Sequence, residues 1–434
     1  MLRFALIIFV ALLLNGEWSL RGAAASPRPN VLFLLSDDQQ WNAIHALGNH
    51  DVMTPNLDRL VTNGFTFTHT FCMGSTVPAV CAPSRAMMLT GRTLFRAVGT
   101  NNNLNLEQMP TWPEAMRRVG YTAAGIGKWH NGTQYPYHPN ARGFDEYYGT
   151  VANTPYLNPP NFIDSRVSPK ITPVKDDNFY TTDAYAERAV DWIGKQTKPY
   201  FLYLPFNAQH APLQATKKYL DRFPHITDEK RRPFAAMMSA MDDAVGRVLA
   251  KVREMGQEDN TLIFFFSDNG GPTMQTTSKN DPLRGRKATT LEGGTRIPFC
   301  AQWKGKIPAG STYEHPMIQL DILPTVIVAA GGKVDPEWKL DGLDLMPYLT
   351  GKVKEPPHPV LYWRFGEQFA IRKGDFKLVA SAVDGVKNVK LYNLKDDIGE
   401  KTDLAAKMPD RVKELHADLV AWRKKVNAPM PAKR

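Results

Sequence analysis

Two apolar runs in this sequence end abruptly in acids. Val31–Leu35 runs through Ser36 into Asp37-Asp38, and Leu262–Phe266 runs through Ser267 into Asp268-Asn269. Together these positions offer three carboxylates and an amide carbonyl. A donor set of oxygen alone suits Ca²⁺ or Mg²⁺ rather than zinc. Adjacent acids after a strand also serve as helix caps or solvated turns, so neither pair decides alone. Two pairs at matching run ends favour a shared cation, because crowded carboxylates repel one another until positive charge neutralises them. Two further runs end in nitrogen bases. Tyr200–Phe206 leads to His210, and Ala123–Ile126 leads through Gly127 to Lys128-Trp129-His130.

A fifth chemical feature is Cys81-Ala-Pro-Ser-Arg-Ala-Met-Met-Leu-Thr-Gly-Arg92. A phosphatase-type thiolate loop requires an arginine six positions after its cysteine. Here Arg85 is at +4 and Met87 at +6, which excludes that chemistry. The spacing Cys81-Ala-Pro-Ser84 fits a one-cysteine redox motif, but no thioredoxin-like strand precedes it. A buried structural cysteine remains open. Pro83 and Ser84 start a helix that Gly91 ends, so Cys81 is expected at a helix N-terminus. Backbone N–H groups and the helix dipole there favour an anion. Arg85, one turn along, presents a planar donor fork to the same place.

The elements that would position these residues alternate. Continuous apolar runs bounded by turn signals suit strands buried on both faces of a parallel sheet. Thr54-Pro55 opens a helix ended by Gly64, and Thr111-Trp112-Pro113 opens another that stops at Gly120. Asp183–Lys195 and Arg232–Met255 read as amphipathic helices, the second closed by Gly256. This pattern predicts an α/β fold with a large, mainly parallel central sheet flanked by helices. In such sheets ligands bind beyond the carboxyl ends of the strands, which would gather all four clusters at one rim. After about residue 350, short strands at 359–365, 369–372, 376–380 and 389–394 predict an antiparallel meander, and 409–426 a closing helix. The expected division is residues 1–25 as a signal peptide, 26–350 as the catalytic domain and 351–434 as a small C-terminal α+β subdomain. The Pro-rich stretch Asn153–Val174 has no clear period and reads as a long surface loop shaping a substrate mouth.

Composition narrows the setting. Of 434 residues, 43% are hydrophobic and 22% charged, which suits a folded globular chain. Met1-Leu2-Arg3, the apolar run Phe4–Leu14 and Ala23-Ala24-Ala25 describe a secretory signal, and the run is too short for a spanning helix. Export to the periplasm or the cell exterior, or into the secretory or lysosomal route of a eukaryote, is therefore expected, with no membrane span after cleavage. The net charge of +10 would draw an exported protein to anionic polymers, but the basic residues are spread along the chain and no nucleic-acid motif stands out. Three cysteines, Cys72, Cys81 and Cys300, are too few for a disulfide scaffold; Cys72 and Cys300 could pair or stay reduced.

Cys81-x-Pro83-Ser84-Arg85-x-x-x-Leu89-Thr90-Gly91-Arg92 resembles, at every fixed position, the signature of the type I sulfatases of the alkaline phosphatase superfamily. Thr54–Asp58, Gly127–His130, Ser267–Gly271, Leu283–Lys287 with Glu292–Gly294, and Asp341–Asp344 resemble further blocks in family order, so the likeness covers nearly the whole chain after the signal. The resemblance implies an alkaline-phosphatase-like fold and a sulfuric ester hydrolase. It implies that a formylglycine-generating or sulfatase-maturating enzyme oxidises Cys81 to Cα-formylglycine, whose hydrate is the nucleophile. It further implies a Ca²⁺, less readily Mg²⁺, held by Asp37, Asp38, Asp268 and Asn269 together with the converted Cys81. Arg85 would stabilise the hydrate and the metal shell, and His130 would contact the hydrate. Lys128, Lys287 and His210 would bind the sulfate group, His210 or Lys287 also protonating the leaving alcohol. One departure is Gln209, which precedes His210 where the family pattern is Pro-His-x-Pro. Asn131-Gly132-Thr133 is a formal glycosylation sequon beside the expected pocket and reads as incidental. Export and basic charge point to a sulfated carbohydrate or other sulfated substrate. Two other readings stand beside this one: a phosphonate monoester or phosphodiester hydrolase of the same superfamily, and a non-catalytic binder of sulfated polymer with Cys81 left as a thiol.

Overall fold

The four apolar runs lie side by side. In the computed structural model, which describes residues 28–75, 80–97, 110–381 and 388–426, they form strands Asn30–Ser36, Thr122–Ile126, Tyr200–Pro205 and Thr261–Ser267. With Glu146–Thr150 they make five consecutive parallel strands at the centre of a ten-stranded sheet. The signal segment expected at 1–25 lies outside the described residues. Register runs from Asn30↔Thr261 to Ser36↔Ser267, so the two acid-bearing ends finish level.

Every residue of strands Asn30–Ser36 and Thr261–Ser267 is buried, and alternation divides each strand between two cores. Val31, Phe33, Leu35, Phe264 and Phe266 face one layer; Leu32, Leu34, Ile263 and Phe265 face the other. This is why the runs are continuous rather than alternating: both faces must be apolar. Helices Cys81–Thr90, Trp112–Arg118 and Ile322–Ala329 cover the first face, where Trp112 meets the Phe33 ring edge-on at 4.7 Å. Helices Pro55–Asn63, Thr181–Gly194 and Arg231–Glu254 cover the second. Among the described residues no helix is long and apolar enough to cross a membrane.

The stretch Asn153–Val174 is not wholly a loop. It contains strands Phe162–Asp164 and Ser168–Thr172, which extend the sheet antiparallel beyond Glu146–Thr150. The outer strand is largely exposed and carries Pro169. An edge strand with little to bury has no hydrophobic period to display, and an edge is where proline is tolerated.

The C-terminal meander forms as its turns suggest, with strands Val360–Phe365, Gln368–Lys373, Phe376–Ala380 and Lys390–Asn393 antiparallel in sequence. Leu415 and Leu419 of helix Pro409–Lys425 pack on Phe369, Ile371, Leu378 and Leu391. The fifth strand of this sheet is Gly74–Ser75, parallel to Val360–Phe365. The segment leading to Cys81 is thus stitched into the C-terminal sheet. Gly74 is required there: at φ 108°, a Cβ would meet the Arg364 carbonyl oxygen at 2.1 Å.

A second stitch is ionic. Lys377, fully buried, bonds Glu292 at 2.9 Å and Glu400 at 3.0 Å. Arg296 bonds the other Glu292 oxygen at 2.7 Å, and Glu400 accepts from the Glu292 N–H at 2.8 Å. Burial acts to raise Glu292, but Lys377, Arg296 and Arg372 outweigh it and hold the carboxyl below its ordinary range. Truncating one member of such a cluster leaves buried charge uncompensated. Lys377→Met is expected to lower the unfolding free energy by about 3–5 kcal/mol in urea denaturation, with an unchanged slope. A change under about 0.5 kcal/mol would remove the cluster from any structural role.

Candidate active site

Level strand ends place the two acid pairs against each other. The Asp38 N–H donates to Asp268 Oδ1 at 3.3 Å, and Asn269 Nδ2 donates to Asp38 Oδ1 at 2.7 Å. Strand Thr122–Ile126 delivers Lys128 through Gly127, where a Cβ would lie 1.9 Å from the Pro205 carbonyl oxygen, so only glycine lets the chains approach this closely. Lys128 Nζ bonds Asp37 Oδ2. Strand Tyr200–Pro205 leads to His210, whose Nε2 is 3.6 Å from Asp38 Oδ2. The Tyr156 hydroxyl donates to the carbonyls of Asn207 (2.5 Å) and His210 (2.8 Å) and fixes that turn.

Cys81 is the first residue of helix Cys81–Thr90, which Gly91 ends in the left-handed conformation. Its Sγ lies 3.4 Å from Asp37 Oδ1, 3.5 Å from Asn269 Oδ1 and 3.2 Å from Lys287 Nζ. Lys287 Nζ also bonds Asp38 Oδ1 at 2.5 Å. One turn along the helix, the Arg85 guanidinium is wholly buried. It donates through Nε to Asp268 Oδ2 (3.0 Å), through Nη2 to Asp37 Oδ2 (3.1 Å) and through Nη1 to the Lys128 carbonyl (2.8 Å). His130 joins Cys81, His210 and Lys287 in lining a cavity of about 540 Å³. All ten residues singled out in the sequence therefore meet at one rim. Two of them, Asp38 (φ 62°) and His130 (φ 60°), sit in the left-handed region, a conformation that clusters at functional sites when the surroundings impose it.

The electrostatics follow from burial. It acts to raise Asp37, but Lys128, His210, Arg85 and Lys287 together hold that carboxyl well below its ordinary range. Asp268 is pushed up by burial and by Asp37, against Arg85 and Lys128. Burial, then Lys128 and Arg85, press His130 far below 6.5, so its imidazole is neutral near pH 7. Burial works against the Lys287 ammonium, but the neighbouring thiol and the three carboxylates hold it above its ordinary value.

These acids fit a hard divalent cation. Asp38 Oδ2 is buried with no hydrogen-bond partner, an orphan that a metal would satisfy. One ligand atom each from Asp37, Asp38, Cys81 and His210 lies within 4.8 Å of the others, and Asn269 Oδ1 faces the same Cys81 atom. Burial and the neighbouring Asp37 raise Asp268, an effect that a cation held here would counter.

Sequence reasoning missed the supports. Ser84 Oγ bonds the Asp268 carbonyl and Gln319 Oε1, and Gln319 Nε2 returns to the Ser84 carbonyl at 3.3 Å, tying the helix to the end of strand Thr261–Ser267. Their only signal was Ser84 within the cysteine motif; Gln319 and Tyr156 had none. Asn131 is buried, so the sequon is not a glycosylation surface. Cys72 and Cys300 are unpaired, buried thiols.

An oxygen-donor cluster at the ends of parallel strands, faced by two lysines and a helix N-terminus, is the equipment of a metal-assisted hydrolase of anionic esters. The sulfatase family model matches residues 29–332. The chain is 30% identical over 394 residues to N-acetylgalactosamine-6-sulfatase of Canis lupus familiaris, covering 82% of this chain and 72% of that protein. It is 30% identical over 486 residues to arylsulfatase G of Rattus norvegicus, covering 94% and 89%. The solved structure of Ps i-CgsB in complex with k-i-k-neocarrahexaose superposes with a TM-score of 0.80 at 30% identity, covering 91% of this chain and 92% of that one. The chain belongs to the sulfatase family and is a sulfuric ester hydrolase with an alkaline-phosphatase-like fold.

Burial raises all three thiols, Cys72 and Cys300 to about 12 and Cys81 well above its ordinary 9, the last also through Asp37. An encoded Cys81 is therefore a poor nucleophile in the folded protein. Iodoacetamide at pH 8 is expected to leave unconverted, folded protein unlabelled at all three positions and to label them after unfolding. Rapid labelling of Cys81 in the folded state would contradict this.

Proposed function

We propose that the protein removes sulfate from a sulfated carbohydrate, using a Cα-formylglycine generated from Cys81 and a Ca²⁺ held by Asp37, Asp38, Asp268 and Asn269. The observation that carries this reading is the placement of the Cys81 side chain. It points at a lysine, a carboxylate and an amide oxygen, all within 3.2–3.5 Å, at the base of the pocket.

When bound, Ca²⁺ supplies positive charge to the sulfuryl oxygens and lowers the pKa of a coordinated hydroxyl. The hydrated aldehyde supplies one hydroxyl for attack at sulfur and a second whose deprotonation expels sulfate. The remaining work falls to this chain's own side chains. Lys128 and Lys287 neutralise the sulfate oxygens as charge redistributes. Arg85 fixes Asp37 and Asp268, and so the spacing of the metal donors. His210, on the outer side of Asp38, gives a proton to the departing alcohol, with Lys287 as the other donor in reach. His130, held neutral, accepts the proton in the release step.

The carbohydrate substrate is inferred from the relatives: one is named for an amino-sugar 6-sulfate, and one solved neighbour holds a neocarrahexaose. Export rests on the signal-like residues 1–25, and a formylglycine-generating or sulfatase-maturating enzyme is the implied maturation partner. Residues 26–350 would form the catalytic domain and 351–434 the subdomain that closes one side of it.

Four measurements test this reading. Mass spectrometry of the peptide containing Cys81, from the native host, is expected to find the aldehyde; an unconverted thiol there would leave only a binding role. Values of kcat/KM on an aryl sulfate, a phosphate diester and a phosphonate monoester are expected to favour the sulfate, and a reversed order would make this a phosphorus-ester hydrolase. Cys81→Ala is expected to fold and lose on the order of 10⁴-fold or more in kcat. Asp268→Ala is expected to lose both turnover and bound calcium by elemental analysis, and full metal content in that variant would remove Asp268 from the ligand set.

A further inference from the structure

The 540 Å³ cavity is larger than one sulfate group needs, and its outer wall is chemically distinct from its base. Cys81, His130, His210 and Lys287 form the base. Asn153, Met274, Gln275 and Arg286 form the mouth, and no carboxylate lines either part among the described residues. Met274 is 74% exposed, an apolar side chain held in solvent at the entrance.

Arg286 differs from the arginines on either side of it in sequence. Arg284 is spent on structure, donating to the Glu400 carbonyl at 2.9 Å and to the Tyr392 hydroxyl at 3.4 Å. Arg296 is paired with Glu292. The exposed Arg286 guanidinium makes no hydrogen bond, ion pair or ring contact among the described residues, although its backbone is firmly held. Its N–H donates to Thr289 Oγ1 at 3.1 Å, and its carbonyl accepts from the Thr289 N–H at 3.0 Å. Lys287 N–H donates to the Gly271 carbonyl at 3.3 Å, and Ala288 is fixed at φ 68°. The turn therefore holds Lys287 in the base and leaves the neighbouring guanidinium, with all its donors free, at the mouth. Arginine's planar fork suits a bidentate oxyanion, whereas a lone lysine does not discriminate its geometry.

We propose that Arg286 forms a second anion subsite at the mouth, reading a further anionic oxygen group on the same glycan: a neighbouring sulfate ester or a uronate carboxylate. Gln275 and Asn153 supply neutral hydrogen bonds to hydroxyls beside it, and Met274 is the apolar surface for a sugar face. The preferred substrate is thus a polyanionic saccharide rather than a singly sulfated one. This rests on the carbohydrate sulfatase reading.

Binding decides the matter without requiring turnover. Calcium-loaded Cys81→Ala protein is titrated with a monosulfated hexoside, its disulfated counterpart, and a monosulfated hexose joined to a uronic acid. One or both dianionic sugars are expected to bind about 10- to 100-fold more tightly than the monosulfated one, and the better of the two identifies the second group. Adding Arg286→Gln is expected to erase that preference through loss of affinity for the dianionic sugar, and Arg286→Lys to restore part of it; the unfolding midpoint of each variant checks the fold. No preference before substitution, or an equal loss for all three sugars after it, would overturn the subsite. The carbohydrate reading fails separately, when none of the sugars binds while aryl sulfate is still hydrolysed by the converted enzyme.

Discussion

The Arg85 guanidinium is the interaction on which the site depends. It is fully buried and spans three chain segments, joining Asp37 from one strand end, Asp268 from another and the carbonyl of Lys128 from a third. Buried ion pairs of this kind are not an economical source of stability: desolvation offsets most of the attraction, and well-packed apolar side chains would hold the same strands together as well or better. What they provide is position. A planar fork with fixed donor directions sets the separation of two carboxylates, and the third donor locks the backbone that presents Lys128.

Charge counting shows what that position is for. Three carboxylates, Asp37, Asp38 and Asp268, face three cations, Arg85, Lys128 and Lys287, so the side chains alone are close to neutral. Both lysines lie on the acids, Lys128 on Asp37 and Lys287 on Asp38. A divalent cation held by Asp37, Asp38 and Asp268 would add two positive charges to this balance. That surplus matches a sulfate dianion and exceeds what the sulfate monoester carries. Burial, then the positive charge of Lys128 and Arg85, disfavours a protonated His130 and holds its imidazole neutral.

Much of this could be read from the sequence because the chemistry sits where strands stop. Val31–Leu35 and Leu262–Phe266 are apolar on both faces since both faces are covered, and that unbroken pattern marks the ends where Asp37-Asp38 and Asp268-Asn269 begin. Pro83, Ser84 and Gly91 framed the cysteine helix by local backbone preference alone. What could not be read depends on distance along the chain. Gln319 reaches Ser84 across 235 residues, and Tyr156 reaches Asn207 and His210 from a stretch without period. Neither has a local pattern, because neither is placed by the element it belongs to. The edge strands within Asn153–Val174 were hidden for the opposite reason, since they bury too little to leave a trace. The free guanidinium of Arg286 is legible only once Arg284 and Arg296 are seen to be occupied.

The same long separations bear on how Cys81 could be modified at all. In the folded chain its side chain is 3% exposed, walled by Asn269 and Lys287, which lie 188 and 206 residues further along. Before those residues dock, the motif lacks these tertiary partners. Parallel strands as distant as Asn30–Ser36 and Thr261–Ser267 pair late, since loop closure must precede their contacts. On the formylglycine reading, a modifying enzyme must therefore act before the central sheet closes. On that reading, a signature contained within Cys81–Arg92 is local because the distant parts of the site have not yet assembled.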